Sequence, residues 1–380
     1  MLKNKLLPFK ISNLLNGIGS FIVTSYFLIY FIDNGFSSQE YSYIFAVALI
    51  LEVVLMLLLP KLSRFASIKT LIIFLYIIPG FGVILSVFSV SVQYFLLILT
   101  GFTIFIIAGA GWPPLAVYLK SVSTDKNYSR VLNNSISVPI RIGYVISAVI
   151  SFSYLFFMTS LYDLLVYGGV FIIISGLPLL FISQHRGNLS ETRLKFRPFL
   201  SSAKYSSLGQ LHYIFTPFLA LFLYHYGFSL YYIGLLMVIR YVGGIVLGMI
   251  LSELMDKRNG FYALLSVLFL VVSISLLLLD NLALTLTALF LSGIGGPSSN
   301  LFYSLSSKTN KGELIDSSAF GITSLLWSSV FIVFGGYFLD MGFRILFIFS
   351  LIIIVVFLAV VSVFILITQK FISRKLHSGF

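Results

Sequence analysis

The stretch GFSSQEYSYIFAVALILEVVLMLLLPKL, residues 35–62, has a counterpart in GFSLYYIGLLMVIRYVGGIVLGMILSEL, residues 227–254. Both open on Gly-Phe-Ser and continue as apolar runs. Each run is long enough to cross a bilayer core, which takes about 20 residues. At a shift of 192 residues (35 onto 227) they align without a gap. Val54, Leu55, Leu59 and Leu62 then fall on Val246, Leu247, Leu251 and Leu254. Each run also holds a charge deep in apolar sequence, Glu52 in the first and Arg240 in the second.

The same kind of run recurs along the chain. Spans are expected at about 11–31, 41–60, 70–90, 92–119, 131–158, 162–183, 206–226, 230–252, 261–279, 282–304, 318–338 and 344–369. The fourth and fifth are long, which implies tilt or extension beyond the bilayer. Composition agrees with a polytopic membrane protein. The chain is 59% hydrophobic and 9% charged, where a soluble domain carries roughly 25% charged residues. Its mean hydropathy is +1.06. The opening Met1-Leu2-Lys3-Asn4-Lys5 before an apolar stretch resembles a signal peptide, but no small-residue cleavage site follows, so it reads as the first span.

Cysteine is absent, which excludes a disulfide frame, a thiolate metal site and a cysteine nucleophile. His185, His212, His225 and His377 are scattered without metal-ligand spacing, so no metal or cofactor is expected. The net charge of +12 follows topology rather than nucleic-acid binding. With both termini cytoplasmic, every Lys and Arg except Arg141, Arg240 and Arg344 falls on the inner side, as the positive-inside rule requires. A multi-pass protein of the plasma membrane is expected, acting as a monomer, in contact with membrane lipid and with no nucleic-acid partner. The polar stretch Gln184–Ser206 is long and basic and sits mid-chain. The division is therefore 1–183 for a first six-helix bundle, 184–205 for a cytoplasmic linker and 206–380 for a second bundle with a short basic tail.

A second matched pair supports the repeat. Gly109-Ala110-Gly111-Trp112-Pro113 in span 4 corresponds to Gly293-Ile294-Gly295-Gly296-Pro297 in span 10. Parallel six-span repeats are one way transporters are built. On these features the whole chain resembles the major facilitator superfamily. That resemblance implies an all-α membrane protein of twelve helices in two pseudo-symmetric six-helix bundles. Spans 1, 4, 7 and 10 would line a central cavity, spans 2, 5, 8 and 11 flank it, and spans 3, 6, 9 and 12 lie outside. The family's loop signature after span 2, Gly-x-Leu-x-Asp-Arg-x-Gly-Arg, is echoed after span 8. Here the second copy is Ser252-Glu253-Leu254-Met255-Asp256-Lys257-Arg258-Asn259-Gly260, and the first is Pro60-Lys61-Leu62-Ser63-Arg64-Phe65-Ala66-Ser67. The second keeps the Leu, the Asp and a following base, while the first has Arg64 in place of the Asp. By resemblance Asp256, Lys257, Arg258 and Arg64 would form a cytoplasmic gate; a solvated loop obeying the positive-inside rule explains them equally well. The Gly-Pro-rich signature of drug antiporters in span 5 is absent. An arginine in that span is instead similar to sugar-symporter and sugar-efflux members.

Glu52, Arg141 and Arg240 each lie about ten residues into a span, so ~15 Å deep at 1.5 Å per residue. A charge there costs about 2.5–3.5 kcal/mol on insertion scales and marks a solute or ion path. Burial favours a neutral carboxyl and a nearby arginine favours a charged one. Glu52 between those influences could release a proton when its partner changes; the alternative is a fixed Glu–Arg pair. Two arginines against one glutamate favour a substrate with carboxylate, phosphate or many hydroxyls. His212 could relay protons or bind substrate, or simply be hydrogen-bonded near the cytoplasmic end. Asn16, with Asn13, in span 1 and Asn300 in span 10 could orient substrate or bond neighbouring helices. Trp112 and Trp327 could stack on a ring, though packing explains them too.

These features predict a secondary active transporter, not an enzyme. It would move a small polar or anionic solute by alternating access, with protons as the coupling ion. Proton-driven multidrug or metabolite efflux is the alternative, favoured by 39 Phe and 22 Tyr. A polytopic enzyme lacks its usual cluster of His, Asp, Glu or Cys here, and a channel leaves the repeat unexplained. Under the 192-residue shift Glu52 meets Gly244 and Arg240 meets Ala48, so these charges break the symmetry of the scaffold. That breakage suits a site for one asymmetric solute.

Overall fold

The computed structural model describes residues 6–62, 67–107, 115, 118–119, 131–182, 196–257, 262–309 and 314–377. Among them the regular structure is helical. A backbone in lipid has to satisfy its own hydrogen bonds, and an apolar helix does so within one segment. The first half contains α1 (Leu7–Asp33), α2 (Ser38–Leu62), α3 (Ile68–Ser91), α4 (Phe95–Ile106), α5 (Val138–Phe157) and α6 (Leu161–Ser175). The second contains α7 (Phe196–Gln210), α8 (Leu219–His225), α9 (Leu230–Lys257), α10 (Tyr262–Leu277), α11 (Leu282–Ser292), α12 (Gly295–Thr309), α13 (Leu314–Asp340) and α14 (Phe343–His377). Nine helical segments among the described residues are long and apolar enough to cross a membrane, and α4 and α10 are shorter apolar helices. Together with a broken seventh span these occupy the twelve expected crossings.

The matched Gly-Phe-Ser motifs fold alike. Gly35 has φ +92° and Gly227 has φ +100°, the left-handed conformation in which glycine ends a helix. In the first motif the Gly35 and Phe36 amides donate to the carbonyls of Ile32 (2.9 Å) and Phe31 (3.4 Å). In the second, Gly227 and Phe228 donate to Tyr224 (3.1 Å) and Leu223 (3.2 Å). The serine then opens the next helix. Ser37 Oγ accepts from the Glu40 amide at 3.1 Å while Glu40 Oε2 accepts from the Ser37 amide at 2.7 Å, a reciprocal cap.

Packing repeats with the same symmetry. In the first half α1 packs on α5 and α6, α3 on α4 and α6, and α2 on α4. In the second, α7 packs on α13, α10 on α11, and α9 on α11. Between the halves the main contacts are α2 with α13 and α5 with α9. These are spans 2·11 and 5·8, which a six-span shift exchanges. Glycines permit the closest approaches. A Cβ at Gly17 or Gly143 would strike the backbone of the facing helix in the α1–α5 pair, and one at Gly335 would strike Ile214 in the equivalent pair.

Two expectations about elements need correction. The linker was expected over 184–205, but α7 already starts at Phe196. Its serines looked like linker because they are polar, yet the helix buries Ser202, Ser206 and Ser207. Ser206 Oγ donates to Thr323 Oγ1 at 2.9 Å, and the Ala203 carbonyl accepts from Trp327 Nε1 at 3.1 Å. Span 7 was expected as one helix over 206–226. Instead α7 stops at Gln210, tight 3-10 turns cover Leu211–Ile214 and Thr216–Phe218, and α8 follows. Pro217 has no amide hydrogen to donate to the preceding turn. Span 10 is found where expected, over Leu282–Ser306, with a turn at Gly293-Ile294 between α11 and α12.

Span 5 opens on a π-helical turn, Asn133–Ser137. Pro139 cannot donate to the Ser135 carbonyl, and Asn13 Nδ2 reaches across from α1 to supply that bond at 2.9 Å. Tyr76 of α3 donates to Asn13 Oδ1 at 2.8 Å. Asn13 therefore joins three spans, one of the two roles expected of it.

Candidate functional site

Three of the expected residues meet at a cavity of about 220 Å³: Arg141 from α5, Arg240 from α9 and His212 from the break in span 7. Thr24, Tyr41, Tyr144, Tyr213, Thr216 and Tyr241 complete its polar wall, and no carboxylate lines it among the described residues.

Arg141 is 8% exposed. Its Nη1 donates to the Ser137 carbonyl on its own helix at 3.2 Å. Its Nε is buried without a partner among the described residues. The side chain crosses from the first half into the second, where Gly244 of α9 and Gly296 of α12 leave room for it. A Cβ on either would collide with the guanidinium group. Arg240 is half-buried, donates to the Thr216 carbonyl at 3.4 Å and lies 5.6 Å from the centre of the Tyr241 ring. Thr216 sits in the break of span 7, so the interrupted helix supplies this acceptor. The two guanidinium groups line the one cavity. Like charges in a poorly hydrated site repel, and an anion between them relieves both.

His212 is buried, with Nδ1 3.1 Å from the Gly209 carbonyl. A carbonyl only accepts, so Nδ1 carries the hydrogen and Nε2 is the acceptor of the neutral ring. Gly295 abuts the imidazole with no side chain of its own. Tyr144 and Tyr241 meet edge to face at 4.3 Å between centroids. The tyrosines were not singled out in the sequence, although two signals pointed to them. Tyr144 is three residues after Arg141, one helical turn on the same face, and Tyr241 adjoins Arg240.

Glu52 is 1% exposed and does not line this cavity. Asn300 borders a second cavity of about 230 Å³, to which Tyr213 also contributes. The Asn300 amide donates to Ser137 Oγ across the two halves. Asn16 lies two turns from Thr24 on one face of α1 and accepts from Ser20 Oγ at 3.0 Å. It borders neither cavity. Trp327 is packed on Phe331 and Phe357, at 5.5 and 5.2 Å between centroids. Arg64, Arg258 and Trp112 lie outside the described residues, as do the side chains of Asp256 and Lys257. The described residues include no group of three or more His, Asp or Glu placed to hold a metal ion.

Three solved structures share this architecture. A bacterial homolog of the human lysosomal transporter Spinster, inward-facing and unoccupied, superposes with a TM-score of 0.62 at 15% identity, covering 96% of each chain. The nucleoside transporter NupG gives a TM-score of 0.69 at 14% identity over 94% of this chain and 99% of that one. The E. coli fucose:proton symporter FucP gives 0.60 at 14% identity over 94% and 96%. The chain has the major facilitator superfamily fold. No protein-family model and no curated protein matches the sequence. The cavity walls suit a major facilitator bundle. They come from spans 1, 2, 5, 7, 8 and 10, with none from spans 3, 6, 9 and 12 among the described residues.

Proposed function

We propose that the protein is a secondary active carrier of the plasma membrane, both termini cytoplasmic, that moves a small oxyanion-bearing solute by alternating access. The observation that carries this reading is the pairing of Arg141 and Arg240 in one cavity that no carboxylate lines among the described residues. An arginine fork binds carboxylate or phosphate in two parallel hydrogen bonds. Arg141 belongs to the first half and Arg240 to the second, so an anion held by both couples solute binding to the relation between the halves. The cavity suits multidrug efflux poorly. Its two arginines repel lipophilic cations.

Protons are the proposed coupling ion, with Glu52 as the exchanging carboxyl. It is buried and does not line the anion cavity, so proton and solute would occupy separate sites. Uptake into proteoliposomes tests the carrier. With a panel of radiolabelled organic acids, an imposed pH gradient should drive accumulation of at least one. Arg141→Ala or Arg240→Ala should lower its transport by at least tenfold. Glu52→Gln should abolish the response to pH while leaving exchange of internal for external solute. Absence of any solute flux from the wild-type protein would remove the carrier reading.

A further inference from the structure

The second cavity has a different chemistry from the first. Six of its ten lining residues carry hydrogen-bonding side chains, and none of the ten carries a formal charge. Gln210 is held at both ends, with Nε2 donating to Ser299 Oγ at 3.0 Å and Oε1 accepting from Ser328 Oγ at 3.2 Å. Ser299 Oγ is itself tied to the Gly209 carbonyl at 3.1 Å. The wall is thus a fixed polar array. Ser324 Oγ differs. It is buried, lines the cavity and has no hydrogen-bond partner among the described residues. A buried hydroxyl without a partner is destabilising, and a ligand hydroxyl could supply the missing bond. Met56, Phe320 and Leu325 supply the apolar part of the lining.

Tyr213 is the residue common to both linings. Its ring is also in contact with His212, 4.6 Å between centroids. On one side lie two guanidinium groups. On the other lies a neutral, amphipathic chamber of about 230 Å³. A hydroxylated ring fits such a chamber, with its C–H face on Met56, Phe320 and Leu325 and its hydroxyl edge on Gln210 and Ser324.

We infer that the two cavities form one composite site for an anionic sugar, the oxyanion held by Arg141 and Arg240 and the hydroxylated body held by Gln210 and Ser324 beyond Tyr213. This rests on the proposed oxyanion carrier and narrows its substrate class. The oxyanion could be a carboxylate or a phosphate.

Binding to the purified full-length protein, measured by thermal shift and calorimetry, separates the cases. The probes are D-glucuronate, D-glucose 6-phosphate, D-glucose, acetate and inorganic phosphate. At least one of the two anionic sugars should bind at least tenfold more tightly than D-glucose and than the simple anion of its own charge type. Which of the two does so identifies the oxyanion. Ser324→Ala breaks no hydrogen bond of the Ser324 hydroxyl among the described residues. It should weaken the anionic sugar three- to tenfold and leave acetate and phosphate unchanged. Arg141→Ala should reduce the anionic sugar to the level of D-glucose. If acetate or phosphate binds as tightly as the sugars, or if Ser324→Ala affects all probes alike, the composite site is wrong and the oxyanion carrier stands. If D-glucose binds as tightly as the anionic sugars and Arg141→Ala changes nothing, the oxyanion reading falls as well. Binding of none of the five overturns the sugar class.

Discussion

Arg141 fits its place because two residues of the opposite half have no side chain. Gly244 and Gly296 both border its guanidinium group, but they differ as probes. A Cβ at Gly244 would also meet the Gly293 carbonyl at 2.6 Å, a backbone clash, whereas at Gly296 only Arg141 atoms are within reach. Gly296→Ala is therefore expected to push the arginine aside without disturbing the fold. Alanine in a helix is favoured over glycine by about 1 kcal/mol, so the melting temperature should hold or rise. Affinity for the transported anion should fall about tenfold, ~1.4 kcal/mol, in an equilibrium binding measurement. A fall in stability with unchanged affinity would show that Arg141 serves packing alone. The arginines were legible in the sequence because charge in an apolar run has few explanations. What the sequence gives of a residue in a span is its depth, not its bearing. Glu52, Arg141 and Arg240 all read as mid-span, but rotation about each helix turns the arginines into the cavity and leaves Glu52 out of its lining.

Among the elements, the two Gly-Phe-Ser corners make the sharpest comparison. Gly35 and Gly227 both have positive φ, and a Cβ at either would have no atom within 4 Å. Substitution there meets no steric obstacle, only the left-handed backbone cost of about 1–2 kcal/mol for an L-residue. Gly35→Ala and Gly227→Ala should each lower stability by that amount, and by the same amount within error, in reversible unfolding or thermal-shift measurements. The corresponding Asn variants should lose less, since asparagine enters this conformation more readily. Unequal costs would mean that the matched motifs are not equivalent corners. These corners were readable because glycine and a capping serine act locally. The break in span 7 was not. Pro217 announces a disturbance, but its extent over Leu211–Phe218 depends on partners distant in sequence, such as the Arg240 guanidinium that takes the Thr216 carbonyl. The start of α7 was hidden for a related reason, because buried serines bonded across helices have the composition of a linker.

At the scale of the whole molecule, the six-span shift exchanges the two inter-half contacts, spans 2·11 and 5·8, and a rocking motion would use both as bearings. One inter-half tie lies at the end of the bundle away from the start of α1. There Ser38, which begins α2, donates to the carboxylate of Asp340, which ends α13. Just beside it Gly336 abuts Ser42 without room for a side chain. A cavity of about 410 Å³, lined in part by Ser38, His225 and Asp340, adjoins this tie. Alternating access requires that end to separate in each cycle. The absence of cysteine from the chain makes a direct test clean, since an introduced pair has no competing thiol. Ser38→Cys with Asp340→Cys should cross-link under mild oxidation. Proteoliposome uptake should then fall to the level of empty vesicles and recover on reduction, while each single variant keeps its transport under both conditions. Binding measured from the opposite end should survive the cross-link, because Arg141 and Arg240 lie deep in the bundle. Uptake that continues in the fully cross-linked protein would show that this end stays closed throughout the cycle, and the solute path would then have to leave the bundle by another route.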